Sequence, residues 1–128
     1  MASTEPRRQS AENTNRQDDA TTLESDPPAL MVDERGMICD CNRAIESLFG
    51  YRRSEVVWRH LSMLLPQMQG TELMLRGHVN PKLQFLSRIG KPFAALDRSG
   101  ELFPSNLFFN ELGNSGSPRL RVIVRAAD

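Results

Sequence analysis

From residue 29 onward, short apolar runs alternate with clusters of turn-forming residues, whereas residues 1–28 hold only Met1 and Leu23 as large apolar side chains. Ala29-Leu30-Met31-Val32 is stopped by Asp33-Glu34-Arg35-Gly36 and followed by Met37-Ile38-Cys39-Asp40-Cys41, which predicts two strands joined by a turn. Asn42 stands where a helix N-cap belongs. Ala44, Ile45, Leu48 and Phe49 then form one apolar helical face, and Gly50 is placed to end it. Ser54 is placed to cap a second short helix holding Val56, Val57 and Trp58, and Leu61, Leu64 and Leu65 make a single turn ended by Pro66. Residues 71–76 read as helical with Gly77 as their stop, and Pro81 opens a further helix through Leu86. Beyond Gly90 the pattern changes to strands. Phe93–Leu96 leads through Asp97-Arg98-Ser99-Gly100 to residues 101–109, in which Ser105, Leu107 and Phe109 share one face by the period of two. After a polar loop over residues 113–118, Leu120–Arg125 alternates except at Val122-Ile123-Val124, where burial on both faces predicts a central strand. The order of elements predicts an α+β domain with one antiparallel sheet.

Residues 1–28 are expected to be a disordered tail closed by Pro27-Pro28, since their apolar content cannot offset the entropy of ordering them. The tail has three Arg against six acids, net −3, and residues 29–128 are net +3, an asymmetry too small to carry a functional reading by itself. The whole chain is neutral and only 6% aromatic, which gives no basis for nucleic-acid binding. No apolar run approaches the roughly 20 residues that span a bilayer, and the N-terminus lacks the apolar segment of a secretory signal, so a cytoplasmic location without membrane contact is expected. Cys39 and Cys41, one residue apart, would point to one face of a strand about 6.5–7 Å apart, a spacing poor for a disulfide. With no further Cys or nearby His to complete a metal set, they read as small buried hydrophobes.

The order of these motifs resembles the PAS family of sensory domains. Its opening pattern is matched by Val32-Asp33-Glu34-Arg35-Gly36-Met37-Ile38, then Asn42, then Glu46-Ser47-Leu48-Phe49-Gly50-Tyr51. Ser54–Val57 with Leu61–Pro66 is similar to the next segment, and residues 97–104 to the family's turn into its long strand. The resemblance covers about Ala29 to Arg125. It implies a five-stranded antiparallel sheet with short helices packed on one face and a cavity between them, in a PAS domain over residues 29–128. One departure is Trp58, where the family usually has Gly. Against oxygen-sensing haem members, Lys82 stands at the position of the iron-ligating His, which argues against haem even though Arg88 is present. The covalent flavin chemistry of light-sensing members needs a Cys on the central helices. Both cysteines here precede the first helix, which excludes it.

Phe85 and Phe93 are candidates for cavity lining, and Arg76, Arg88 and Lys91 for polar contact to an anion. His60 has no nucleophile and carboxylate placed with it, and Gly90-Lys91 lacks the rest of a phosphate loop, so no catalytic unit is predicted. Phe108 and Phe109 are adjacent on a strand, so one of them must face away from the helix-covered core. That exposed face would carry Phe108 with Leu102 or Phe103 and one of Val122 or Ile123; Phe108, Leu102 and Ile123 are taken as interface candidates, with Trp58 added because of its departure from the family pattern. The resulting expectation is a non-enzymatic sensory and interaction module that dimerises and signals to an effector outside this chain. The alternative is a receptor for haem, flavin or a metabolite.

Overall fold

In the computed structural model, which describes residues 26–112 and 118–127, the first apolar runs form β1 (Ala29–Asp33) and β2 (Ile38–Cys41). The turn between them is held by one side chain: the Asp33 carboxylate accepts from the backbone N–H groups of Arg35 (2.9 Å) and Met37 (3.0 Å). Asn42 caps α1 (Arg43–Phe49) by accepting from the Ile45 N–H, and Gly50 closes it in the left-handed region at φ +81°. The second helix, α2 (Arg53–Val56), begins two residues earlier than Ser54 as a cap predicts, with Arg52 at the N-cap. Ser54 lies inside it, and the cap function falls to Glu55, whose carboxylate accepts from the Arg52 N–H at 2.8 Å. Two 3-10 turns follow, Leu61–Met63 and Pro66–Met68, so Pro66 opens a turn as well as ending one.

The helix expected over residues 71–76 is not present. β3 (Met74–Leu75) and β4 (His78–Val79) form a hairpin in its place. Arg76 and Gly77 occupy its turn at φ +54° and +81°, the pattern of a two-residue type I′ turn, which twists in the sense that adjoining strands require. Glu111 clamps this hairpin to the main sheet, accepting from the Val79 N–H (2.9 Å) and lying 3.2 Å from His78 Nδ1. The first of these contacts and then the second hold the Glu111 carboxyl below the usual glutamate range. A depressed carboxyl pKa stabilises above the unfolded-state value and is lost as pH falls through the folded-state value. The Val79 amide resonance is therefore expected to shift in acid with a midpoint below that of an ordinary glutamate, and Glu111→Gln is expected to abolish the step.

Pro81 opens α3 (Pro81–Arg88), with Asn80 as N-cap. β5 (Phe93–Leu96), β6 (Leu102–Leu112) and β7 (Arg119–Ala126) complete a five-stranded antiparallel sheet of order β2-β1-β7-β6-β5. β7 is central, as its Val-Ile-Val centre predicts. The helices and turns cover one face. There Ile45, Phe49, Leu61, Leu64, Leu65 and Met68 are fully buried over Val32, Leu107, Val122 and Val124. Phe103 packs against Phe49 with ring centroids 5.7 Å apart, whereas Leu102 points out. The tail expected over residues 1–28 lies, up to residue 25, outside the described residues, as does most of the polar loop at 113–118.

Both long edges of the sheet are partly closed by the chain itself. On β2, Ile38 N–H donates to Arg59 O (2.8 Å) and Trp58 N–H donates to Ile38 O (2.7 Å). On β5, Leu96 N–H donates to Leu64 O and Ala94 N–H to the Gln67 side chain, each at 2.8 Å. These bonds occupy edge groups of Ile38 on β2 and of Ala94 and Leu96 on β5 that an added strand would otherwise use.

Candidate functional site

The sheet offers two places for function, the interior beneath the helices and the uncovered outer face. The interior is apolar. Among the described residues Ser105 is the one buried polar side chain, and its hydroxyl already donates to Phe93 O at 3.0 Å. Phe93 itself is buried opposite Ser105. Of the other residues proposed for a cavity, Phe85 is 52% exposed on the outer side of α3, one turn from exposed Ile89, so its assignment to cavity lining is corrected. Arg76 sits exposed in the hairpin turn, and Arg88, Lys82 and Lys91 are exposed. These cations do not converge on the interior. His78 is turned to Glu111, and His60 Nδ1 accepts from the Ser62 N–H at 3.0 Å.

The cysteines do not share a face. The register slips between Met31 and Val32, which pair with Asp40 and Ile38, so Cys39 is the extra residue of a β-bulge. Cys41 packs against the core opposite Leu30, and both cysteines are half-buried and free. Burial pushes the Cys41 thiol up to about 11, with Glu46 and Asp40 adding to it, and burial raises Cys39 as well. Both thiols therefore stay protonated at neutral pH, the inert state for metal binding and nucleophilic attack. Among the described residues no three Cys, His, Asp or Glu side chains are grouped to hold a metal, and no helix is long and apolar enough to cross a membrane.

The outer face has a defined chemical pattern. Even-numbered residues of β6 and odd-numbered residues of β7 point outward, opposite to the buried Ser105, Leu107, Phe109, Leu120, Val122 and Val124. Phe108 is 41% exposed and pairs across with half-buried Ile123, which pairs in turn with Ala29. This apolar row is flanked along the central strand by Arg121 and Arg125, with Arg119 beyond Arg121. The row of Arg121 runs from Asn110 to Met31, and Arg125 lies opposite Asn106. Among the described residues no ion pair involves Arg121 or Arg125.

Two grooves open to solvent, the first of them bordering the row and the second lying at the β5–β6 end of the sheet. One, of about 340 Å³, is lined by Asp26, Pro27, Met31, Asp40, Arg121 and Ile123 among others. The other, of about 280 Å³, is lined by Pro92, Phe93, Ala94, Leu102, Phe103 and Pro104, with Leu102 62% exposed. Trp58 lies apart from this face, beside the β2 edge. Its ring is 65% exposed, and its backbone is at φ +70°, a region that a bulky residue rarely adopts.

Comparison with known proteins bears on this arrangement. The PAS-fold family matches residues 17–80, half of the chain. The chain belongs to the PAS family. Solved structures extend the likeness to about four-fifths of the chain. The PAS domain of a two-component sensor histidine kinase is 12% identical with a TM-score of 0.61, over 79% of this chain and 85% of that one. The PAS domain of nitrogen regulation protein NR(II) from Vibrio parahaemolyticus is 20% identical with a TM-score of 0.54, over 78% and 88%. The light-state structure of the blue-light photoreceptor Aureochrome1 LOV is 17% identical with a TM-score of 0.55, over 80% and 82%. At these identities the likeness is one of fold, the PAS sensory-domain scaffold, and function has to be argued from the sites that this PAS domain builds on it.

Proposed function

We propose that this PAS domain is a non-enzymatic sensory and interaction module of a signal-transduction protein. It dimerises through the outer sheet face or its flanking segments and passes a signal to an effector outside this chain. The observation that carries the reading is the outer face. Phe108, Ile123 and Leu102 present apolar surface there, while the chain's own bonds occupy groups on both sheet edges, so the open face is the sheet's docking surface. The interior supports the same choice over a receptor for haem, flavin or a metabolite, because its one described polar side chain is already bonded and the nearby cations face solvent. The setting is cytoplasmic, in two-component or cyclic-dinucleotide signalling. The likeness to domains described as from a sensor histidine kinase and from NR(II) supports the first of these. Signalling is then a shift in the population of docked and undocked states, with no bond made or broken.

The arginines set the salt dependence of self-association. A twofold axis through Ile123 brings Arg121 of one copy opposite Arg125 of the other, a repulsion that salt screens. Light scattering is expected to show a dimer that strengthens with protein concentration and with NaCl. Phe108→Glu is expected to weaken association by about 30-fold, or about 2 kcal/mol, as for a central interface anchor, while leaving the melting temperature close to that of the wild type. A chain that stays monomeric at every concentration and salt level would refute the dimer, and an unchanged Phe108→Glu dimer would move it off the sheet face.

A further inference from the structure

We propose that the solvent face of α3 is a second docking site, which takes an acidic amphipathic helix of a partner protein. The site lies on the helix-covered side of the molecule and leaves the outer sheet face free, so it goes beyond the docking reading above.

One side of α3 is committed to the core. Leu83 is buried, Leu86 packs against the core, and Gln84 Nε2 donates to Phe109 O at 3.3 Å. On the opposite side Pro81, Phe85 and Ile89 follow at spacings of four and form one exposed ridge along the helix. Ile89, the C-cap residue, keeps the helical register, since its N–H donates to Phe85 O at 3.1 Å. Phe85 is 52% exposed and Ile89 57%. Lys82 and Arg88 lie on either side of this ridge, and Lys91 follows its end.

The charge around the ridge has one sign. Residues 73–96 hold Arg76, Lys82, Arg88 and Lys91 and no Asp or Glu. All four cations are exposed, and among the described residues none of them joins an ion pair. A ridge of side chains four apart fits the groove between such rows on another helix, and carboxylates beside that groove meet Lys82 and Arg88. A second copy does not supply this helix. Its α3 and its Arg121 and Arg125 bring cations to cations. The carboxylates of its α1 and α2 are engaged, Glu46 with Arg53 N–H and Glu55 with Arg52 N–H and Arg98. Two large apolar side chains on a helix about 12 Å long are also a small area to bury in a bilayer, whereas they fill the groove of one partner helix.

The platform is fixed before a partner arrives. The Asn80 side chain caps α3 by accepting from Lys82 N–H at 3.0 Å, and its amide donates to Glu72 O at 2.8 Å. At the other end Lys91 N–H donates to Leu86 O at 3.0 Å. Binding therefore costs little ordering on this side, which favours a useful affinity from a small contact.

Titration of the 15N-labelled full chain with a synthetic helix tests the proposal. The probe has about 16 residues, with leucine on one face and glutamate on its flanks. Saturable shifts are expected at the amides of residues 81–91, with binding weakened by NaCl. Phe85→Ala with Ile89→Ala is expected to weaken binding by about tenfold or more. Lys82→Glu with Arg88→Glu is expected to abolish it and to confer binding of the same peptide with lysine in place of glutamate. All four positions are exposed, so the melting temperature and the dimerisation seen by light scattering are expected to stay as in the wild type. No saturable shift up to about 1 mM peptide overturns the proposal, as do shifts centred on β6 and β7 or binding indifferent to the charge reversal. So does cosedimentation with phosphatidylserine but not phosphatidylcholine vesicles that the charge reversal removes, which would make the occupant a membrane. Failure of the dimer reading is distinguishable, because it shows in light scattering without peptide.

Discussion

Gly36→Ala is expected to destabilise the fold by about 3 kcal/mol, and Gly100→Ala, at the equivalent place in a second turn, by about 1 kcal/mol. The two turns share one design. In each an aspartate (Asp33, Asp97) bonds the backbone two and four residues on, and a glycine closes the loop at φ +84° or +91°. A Cβ at either glycine meets the left-handed penalty of about 1–2 kcal/mol. They differ in surroundings. A Cβ at Gly100 meets nothing within 4 Å, whereas one at Gly36 lies 2.8 Å from His60 Nε2 and 3.1 Å from Leu73 Cδ1. His60 cannot withdraw freely, because its Nδ1 accepts from Ser62 and its backbone bridges Met37. The added overpacking is about 1–3 kcal/mol. For a domain of this size the larger loss lowers the melting temperature by about 15 °C. Equal losses at the two sites in urea or thermal unfolding would remove His60 from the explanation. Gly36→Ala should also loosen the segment that closes the β2 edge, since Leu61 N–H donates to Gly36 O at 2.8 Å, and so promote aggregation through that edge.

Local chemistry at single residues made most of this fold legible. Asn42, Gly50 and Pro81 act where their capping preferences place them, and the period of two puts Ser105, Leu107 and Phe109 inward with Phe108 outward. Readings failed where one local signal had two meanings. Residues 71–76 suit a helix by propensity, but Arg76-Gly77 supplies the two left-handed positions of a hairpin turn, and an arginine there is not a standard cue. The spacing of Cys39 and Cys41 implied one face until a bulge, set by how β2 pairs with β1, shifted the alternation. Phe85 is apolar and on a helix, and which side of α3 meets the sheet is decided by Leu83 and Leu86, so Phe85 and Ile89 are left outside. The interface candidates Phe108, Ile123 and Leu102 come from strand alternation, and the same alternation places Arg121 and Arg125 beside them once β7 is known to be central. Trp58 marks where this chain leaves the family pattern. It keeps the glycine-like backbone angle and accepts the strain of a large side chain there.

Asn42→Ala is expected to cost about 2–3 kcal/mol, and Asn42→Asp much less, because the side chain joins three parts of the molecule. Its carbonyl oxygen accepts from Ile45 N–H at 3.2 Å, capping α1, and from Ala29 N–H at 3.1 Å, fixing the start of β1. Its amide donates to Pro27 O at 2.8 Å, fixing the chain just before β1. Alanine loses all three bonds. Aspartate keeps both acceptor functions and is as good a cap, but it has no N–H to donate and sets a carboxylate against the Pro27 carbonyl. The two variants therefore separate the cap and strand-start bonds from the bond to Pro27 O. Urea unfolding should rank wild type above Asn42→Asp and both well above Asn42→Ala. An aspartate variant as unstable as alanine would show that the Pro27 bond, and not the cap, carries the energy. An aspartate variant as stable as the wild type would show that the cap and the bond to Ala29 N–H carry the energy and the bond to Pro27 O none of it.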